Sequence, residues 1–123
     1  MSLASLHHVQ MAMPRGREEE ARAFYGGLLG LRELPKPEHL RPRGGVWFAT
    51  GSLELHLGVD PEFRAAKKAH VALQVADLAG LREHLQAERY PVVEDEPLAG
   101  YARFYTEDPF GNRLELLQPN GSQ

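Results

Sequence analysis

The 123-residue sequence contains no cysteine, one tryptophan and no long apolar run. Without thiols there can be no disulfide, no thiolate metal ligand and no cysteine nucleophile. No stretch is long and apolar enough to span a membrane, and residues 1–30 lack the uninterrupted apolar core of a signal peptide. We therefore expect a cytoplasmic protein with no membrane partner.

The sequence also lacks the excess of basic residues that nucleic-acid binding requires. Its net charge is −3 and its pI is near 6.1. Because neutralising phosphates needs a positive surface, these values argue against DNA or RNA as a partner. The length is sufficient for one domain with a hydrophobic core.

The sequence contains an internal repeat. A strand-like segment that begins with histidine is followed in each half by a strand-like segment that contains glutamate. The separation is 46 residues from His8 to Glu54 and 45 residues from His70 to Glu115. A repeated supersecondary unit predicts a fold with twofold pseudosymmetry. The repeat also duplicates imidazole and carboxylate groups, the side chains that a divalent metal ion would use.

The periodicity predicts the same order of elements in both halves. We predict strands at 6–13, 46–49, 53–58, 69–75, 92–93, 101–106 and 113–118, and helices at 17–29 and 78–89. Asp77 is the expected N-cap of the second helix, and residues 35–45 are expected to form a mobile loop. The second half is then βαβββ with one weak strand, and we expect the first half to follow the same plan, although the pattern marks only three of its strands. This pattern indicates an α+β fold in one domain, 1–123, with modules of about 1–62 and 63–123.

Alternation along the strands separates aliphatic from polar side chains. Val71 and Leu73 share one face of their strand, whereas His70 and Ala72 share the other. The amphipathic helices need the aliphatic face, so the polar face must point away from them. One histidine or glutamate on such a face is usually only a solvated residue. Four of them at repeated positions favour a shared function.

Four segments carry a resemblance to a known family. They are Leu6-His7-His8-Val9, Phe24-Tyr25 with Leu29-Gly30-Leu31, Lys68-Ala69-His70-Val71-Ala72-Leu73, and Asp108-Pro109-Phe110-Gly111-Asn112-Arg113-Leu114-Glu115-Leu116. The last segment is similar to the Asp-Pro-x-Gly-x-x-x-Glu signature of the vicinal oxygen chelate superfamily. That superfamily includes glyoxalase I, fosfomycin-resistance proteins, extradiol dioxygenases and bleomycin-resistance proteins.

The resemblance implies paired βαβββ modules that form a curled mixed sheet around a cavity, with the helices on its outer face. It implies a divalent metal ion whose three usual ligands fall on His8, His70 and Glu115. Glu54 falls on the position of the fourth ligand of glyoxalase I. A site of nitrogen and oxygen ligands suits Zn, Ni, Mn, Fe or Co and leaves positions open for substrate oxygens.

The leading functional hypothesis is a metal-dependent lyase or isomerase of glyoxalase type. The substrate would be small and oxygenated, and the metal would stabilise an enolate or oxyanion. Glu54 or Glu115 would act as the general base for a proton beside a carbonyl. Since the superfamily commonly uses four modules and one chain supplies two, the resemblance also implies a homodimer.

Three alternatives stay open. An extradiol-type dioxygenase would use Fe(II) in the same two-histidine, one-carboxylate set, although such enzymes usually have longer chains. A thiol transferase similar to the fosfomycin-resistance proteins is disfavoured mildly by Glu54. A drug-sequestering dimer similar to bleomycin-resistance proteins would generally lack the metal ligands.

Other residues are candidates for contact with substrate. His56 lies two residues after Glu54 and should share its face, so His56 or water is an alternative to Glu54 as the last ligand. Arg103 and Tyr105 alternate on one strand, and Tyr105 resembles a substrate-contacting tyrosine of the fosfomycin-resistance proteins. Trp47 is a candidate lining residue, although tryptophan more often lies in a core.

Overall fold

The fold was analysed in a computed structural model, which describes residues 1–120. The chain divides into two compact units, one of which is Met1–Arg64 and the other of which begins at Ala65. We call them unit 1 and unit 2 and describe each by itself. Within residues 1–120, none of the helices is long and apolar enough to cross a membrane.

Unit 1 has the order βαβββ. Its strands are β1 (Val9–Met13), β2 (Arg32–Leu34), β3 (Val46–Thr50) and β4 (Leu53–Val59). They form one sheet in the order β1-β4-β3-β2, in which β1 and β4 are parallel and the other pairs are antiparallel. A short α-helix, α1 (Glu18–Ala21), continues as a π-helical turn over Arg22–Leu28.

Unit 2 repeats this plan in reduced form. It contains β5 (Val71–Gln74), α2 (Leu78–Ala87), β6 (Tyr101–Glu107) and β7 (Arg113–Pro119). The sheet order is β5-β7-β6, with β5 parallel and β6 antiparallel to β7. The α+β class and the mixed sheets predicted from the sequence are thus confirmed.

Several predicted boundaries were wrong. The strand predicted at 92–93 is a single bridge between Val93 and Tyr105, because Pro91 removes a donor just before it. The strands predicted from residues 6 and 69 begin at Val9 and Val71, so His8 and His70 lie immediately before them. The loop predicted at 35–45 contains a 3₁₀ helix, Glu38–Arg43.

The aliphatic faces of β4 and β7 are largely buried as predicted, whereas that of β5 is only half-buried. In unit 1 the aromatic residues Phe24 and Tyr25 of the π-helical turn are buried together with Phe48 of β3, and the Tyr25 and Phe48 rings lie 5.6 Å apart. In unit 2 the buried residues include Leu85 of α2, Phe104 of β6 and Leu114 and Leu116 of β7. The helix α2 begins as predicted, since the Asp77 carboxylate accepts a hydrogen bond from the Gly80 N–H at 3.0 Å.

The turn between β6 and β7 is built around one buried carboxylate. Asp108 is 3% exposed. Its Oδ1 accepts from the backbone N–H groups of Phe110 and Asn112, and its Oδ2 accepts from the Asn112 side chain, each at 2.9 Å. Gly111 completes the turn with a φ of +90°, which favours glycine. The Asp-Pro-x-Gly part of the signature therefore fixes the pairing of β6 with β7.

The segment before β3 crosses very close to β4. A Cβ atom on Gly45 would lie 2.3 Å from the Leu57 carbonyl oxygen, and Gly45 has a φ of +87°. Its N–H donates to Glu18 Oε2 at 2.9 Å. This bond lowers the pKa of Glu18 below the ordinary 4.5, against the opposing effect of burial. The 3₁₀ segment is therefore anchored at its C-terminal end.

Gly45→Ala should destabilise unit 1 more than Gly100→Ala destabilises unit 2. Gly100 has nearly the same φ, +86°, but nothing lies within 4 Å of the position that a Cβ atom would take there. Each substitution should cost about 1–3 kcal/mol from backbone strain, and Gly45→Ala adds the clash with β4. Chemical denaturation would measure both variants, and equal losses would contradict the close approach.

Candidate functional site

The centre of the polar face in unit 2 is a histidine–carboxylate pair. His70 Nε2 lies 2.9 Å from Glu115 Oε1. The His70 side chain is 26% exposed and that of Glu115 is 8% exposed. The other ring nitrogen, Nδ1, lies 3.1 Å from the Lys68 carbonyl oxygen. The backbone just before β5 thus orients the ring toward β7.

Arg103 and Tyr105 of β6 hold the same carboxylate from the other side. Arg103 Nη1 donates to Glu115 Oε2 at 3.2 Å and to the Tyr105 hydroxyl at 3.0 Å, and the hydroxyl lies 3.3 Å from Glu115 Oε1. Arg103 Nη2 donates to the Glu96 carbonyl oxygen at 2.5 Å. Both residues, predicted as substrate contacts, therefore touch the candidate ligand Glu115.

These contacts set the charge of Glu115. Burial opposes its ionisation, but the hydrogen bonds from His70 and Arg103 outweigh burial and hold the pKa of Glu115 below the ordinary 4.5. The carboxylate is therefore ionised at neutral pH. A buried anion of this kind can bind a cation without first losing a proton.

In unit 1 the corresponding face carries a stack of aromatic rings. The His56 ring lies parallel to Trp47 at 4.0 Å on one side and to His8 at 4.3 Å on the other. His56 is buried, at 4% exposure. Its Nε2 lies 2.8 Å from Glu54 Oε2. The stack thus brings the predicted residues His8, Trp47, Glu54 and His56 together.

Glu54 is the more accessible of the two candidate carboxylates. Its side chain is 30% exposed. The hydrogen bond from His56 is the main reason that the pKa of Glu54 lies below the ordinary 4.5. Glu54 is therefore also ionised at neutral pH, with its Oε2 held by His56.

The spacing between histidine and glutamate is nearly the same in the two repeats, but the two glutamates do not occupy equivalent positions in their sheets. Val9 pairs with Leu55, which places His8 beside Glu54, whereas Val71 pairs with Leu114, which places Ala72 beside Glu115. Across the next strand, His56 is opposite Trp47 and Glu115 is opposite Tyr105. Counted from the histidine of each unit, the register equivalent of Glu115 is His56, not Glu54.

Each unit contributes part of a possible ligand set. In residues 1–120, no three or more histidine, aspartate or glutamate side chains are already arranged to hold a metal ion. Of the proposed ligands, His8 and Glu54 lie in unit 1, and His70 and Glu115 lie in unit 2. Their assignment as ligands stays a prediction.

The comparison with protein families identifies the chain. Residues 5–116 match the family model of the Glyoxalase/Bleomycin resistance protein/Dioxygenase superfamily. The chain belongs to this superfamily. The match includes His8 and His70 as well as Glu115, and it extends over both repeats. None of the curated proteins compared with the chain matches it.

Solved structures extend the superfamily assignment. A Bacillus anthracis protein described as a glyoxalase family member is 43% identical, with 98% of each chain covered and a TM-score of 0.91. A glyoxalase/dioxygenase from Nostoc punctiforme is 20% identical over 98% of each chain, with a TM-score of 0.78. At 20% identity, the similarity to the Nostoc punctiforme structure supports a shared fold and carries no information on function.

The fosfomycin resistance protein FosX from Listeria monocytogenes has the same fold. A FosX variant complexed with Mn(II) and 1S,2S-dihydroxypropylphosphonic acid is 14% identical, with a TM-score of 0.77. The alignment covers 98% of this chain and 93% of that one. Superfamily members thus include one that binds a divalent metal and a small molecule.

Arg113 was not among the site residues predicted from the sequence, although it contacts Tyr105, which lies beside Glu115. The Arg113 guanidinium lies over the Tyr105 ring, 3.9 Å from its centroid, and 3.9 Å from Asp95 Oδ2. Its position two residues before Glu115 is a signal, since alternate residues of a strand share a face. Arg113 and Arg103 thus both contact Tyr105, and each is paired with a carboxylate, Asp95 and Glu115 respectively.

Arg103→Gln should raise the pKa of Glu115 in metal-free protein. The parent loses the stability contributed by ionised Glu115 as pH falls from about 4.5 through the lower folded pKa. Without Arg103, burial is opposed less, so the folded pKa should lie nearer 4.5 and the loss of stability should be smaller and complete at a higher pH. Carboxyl NMR titration would measure the shift.

Arg82→Gln is the matched control. Arg82 pairs with Glu94 at 2.6 Å on the surface of the same unit. An identical Glu115 titration in both variants would show that Arg103 does not control the carboxylate.

Proposed function

We propose that the chain is a metal-dependent lyase or isomerase of glyoxalase type that acts on a small oxygenated substrate. Membership of the superfamily supports the general assignment. The type of reaction and the need for a metal go beyond that general assignment. They rest on the chemistry of the side chains around Glu115 in unit 2 and around Glu54 and His56 in unit 1.

The contacts of His70 carry the proposal. The Lys68 carbonyl oxygen can only accept, so Nδ1 must carry a hydrogen to bond it. Ionised Glu115 Oε1, close to Nε2, can also only accept. With its hydrogen on Nδ1, the ring presents the Nε2 lone pair beside the Glu115 carboxylate, where a cation could be held by both groups. A backbone carbonyl at one ring nitrogen is the usual way to direct the other toward a metal.

The residues present fit a divalent cation. His70 Nε2 and the Glu115 carboxylate would be ligands from unit 2, His8 would be a ligand from unit 1, and Glu54 would be either a fourth ligand or the general base. Imidazole nitrogen and carboxylate oxygen suit Zn, Ni, Mn, Fe or Co. The bound metal would supply Lewis acidity for a substrate carbonyl.

Glu54 is the better candidate for the general base. Both carboxylate oxygens of Glu115 are hydrogen-bonded, one to His70 and Tyr105 and the other to Arg103. Glu54 is more exposed, and its bond from His56 engages Oε2. A proton beside a carbonyl could therefore be accepted at Glu54 Oε1 while His56 holds the other oxygen.

His70→Ala should lose metal and the stability linked to metal binding. At a metal concentration about a hundredfold above Kd, that stabilisation is about 2.7 kcal/mol. Elemental analysis and thermal melting with and without chelator would measure both quantities. His84→Ala is the control, since His84 is exposed on α2.

Retention of metal and of the chelator-sensitive melting temperature in His70→Ala would contradict the metal proposal. Absence of bound metal and of a chelator effect in the parent protein would instead favour the non-catalytic, drug-sequestering alternative, because such dimers generally lack the metal ligands. The predicted homodimer also stays a prediction.

Glu54→Gln and His56→Gln should show whether Glu54 acts as the general base or as a metal ligand. If Glu54 is the base, Glu54→Gln should retain metal and lose kcat by about 10²–10⁴-fold, because the amide keeps the volume but not the basicity. If His56 only positions Glu54, His56→Gln should lower kcat less. Metal content and steady-state kinetics would be compared in both variants. Parental activity in Glu54→Gln would show that Glu54 is only a solvated residue of its strand.

A further inference from the structure

A small pocket lies beside the aromatic stack of unit 1. Its volume is about 220 Å³. Gln10 and Trp47 line it from the sheet. Lys36, Leu40 and Arg43 line it from the segment between β2 and β3. Pockets for whole drug-sized ligands are usually about 300–1,000 Å³, so this one suits a single compact group.

The strand register places this pocket next to the candidate chemistry. Gln10 pairs with His56 across β1 and β4, and His56 pairs with Trp47 across β4 and β3. These three residues therefore form one row across the sheet. Gly58 leaves room for the Gln10 amide, since a Cβ there would lie 2.7 Å from Gln10 Nε2. A group held against Gln10 and Trp47 would lie directly beside the row that contains His56.

The pocket is positively charged. Lys36 and Arg43 line it, and its described lining includes no carboxylate. The Lys36 ammonium donates to the Gly44 carbonyl oxygen, which leaves it two further hydrogens. Within residues 1–120, Arg43 makes no hydrogen bond or ion pair, and it is exposed.

The neighbouring pocket gives a contrast. It has a volume of about 430 Å³ and is also lined by Lys36. Its other side chains include both signs of charge, with Arg22 paired to Glu33 at 3.0 Å and Glu18 bonded to the Gly45 N–H. Arg22 there is already paired with a carboxylate, and Lys36 is shared by both pockets. The pocket beside Trp47 differs because no carboxylate lines it.

We propose that the Gln10–Lys36–Arg43–Trp47 pocket binds an oxyanion group of the substrate, such as a carboxylate or a phosphate. Lys36 and Arg43 neutralise the anion, the Gln10 amide donates to it, and Trp47 covers it. The substrate would then be a small organic anion whose oxygenated reacting end extends toward His56 and Glu54. This assignment of the bound group to a substrate rests on the proposed function.

The tryptophan provides a direct reporter, because Trp47 is the single tryptophan of the chain. Inorganic phosphate and acetate would be titrated separately into metal-free protein at constant ionic strength, and Trp47 fluorescence would be followed. We expect a saturable change with at least one anion. The tighter-binding probe distinguishes a phosphate group from a carboxylate group.

Arg43→Gln should weaken this binding about 10- to 100-fold, the effect of one hydrogen bond to a charged group. Arg43→Lys should restore part of it, because the charge returns without the planar guanidinium. Arg15→Gln is the control, since Arg15 is exposed in the same unit and does not line the pocket. No saturable change in the parent, or equal affinity in Arg43→Gln and Arg15→Gln, would overturn the proposal.

His70→Ala separates this proposal from the metal proposal. His70 belongs to unit 2 and does not line the pocket. The variant should lose metal yet bind the anion with parental affinity. Retained metal would defeat the metal assignment while leaving the anion result intact, and lost metal with no anion binding in either protein would defeat only the anion pocket.

Discussion

The buried carboxylate of Glu115 is the constraint on which unit 2 depends. An ionised group with a side-chain exposure of 8% is tolerated only when hydrogen bonds and opposite charge replace water. His70 and Arg103 supply them, and the turn around Asp108 sets the β6–β7 register that places Tyr105 opposite Glu115. The signature motif therefore combines two tasks. Its aspartate shapes the turn, and its glutamate supplies the charged group.

Unit 1 has different side chains at the equivalent positions of its sheet. At the register position of Glu115 it has His56, whose ring is buried between Trp47 and His8. Its carboxylate, Glu54, lies nearer the solvent and carries one bond from His56. The repeat is thus symmetric in its backbone plan and asymmetric in its chemistry. One half buries its anion, and the other keeps an anion accessible.

The asymmetry supports the proposed division of roles between the two carboxylates. Glu115 is held on both oxygens, which suits a fixed ligand, whereas Glu54 has the exposure that a proton acceptor needs. The charged pocket beside Trp47 lies in the same unit as Glu54. Binding of an anionic group and acceptance of a proton would then both be tasks of unit 1.

The sequence by itself determined the order of the elements, the buried face of each strand and the residues that carry the polar chemistry. Period-two alternation and the motif around Asp108 and Glu115 are local properties, so they can be read from neighbouring residues. Only the tertiary structure decided that Val9 pairs with Leu55 but Val71 with Leu114, that His56 is stacked between two rings, and that Arg103 holds Glu115. Register between strands distant in sequence depends on packing and turn geometry, and a shift of two residues preserves the alternation that the sequence displays.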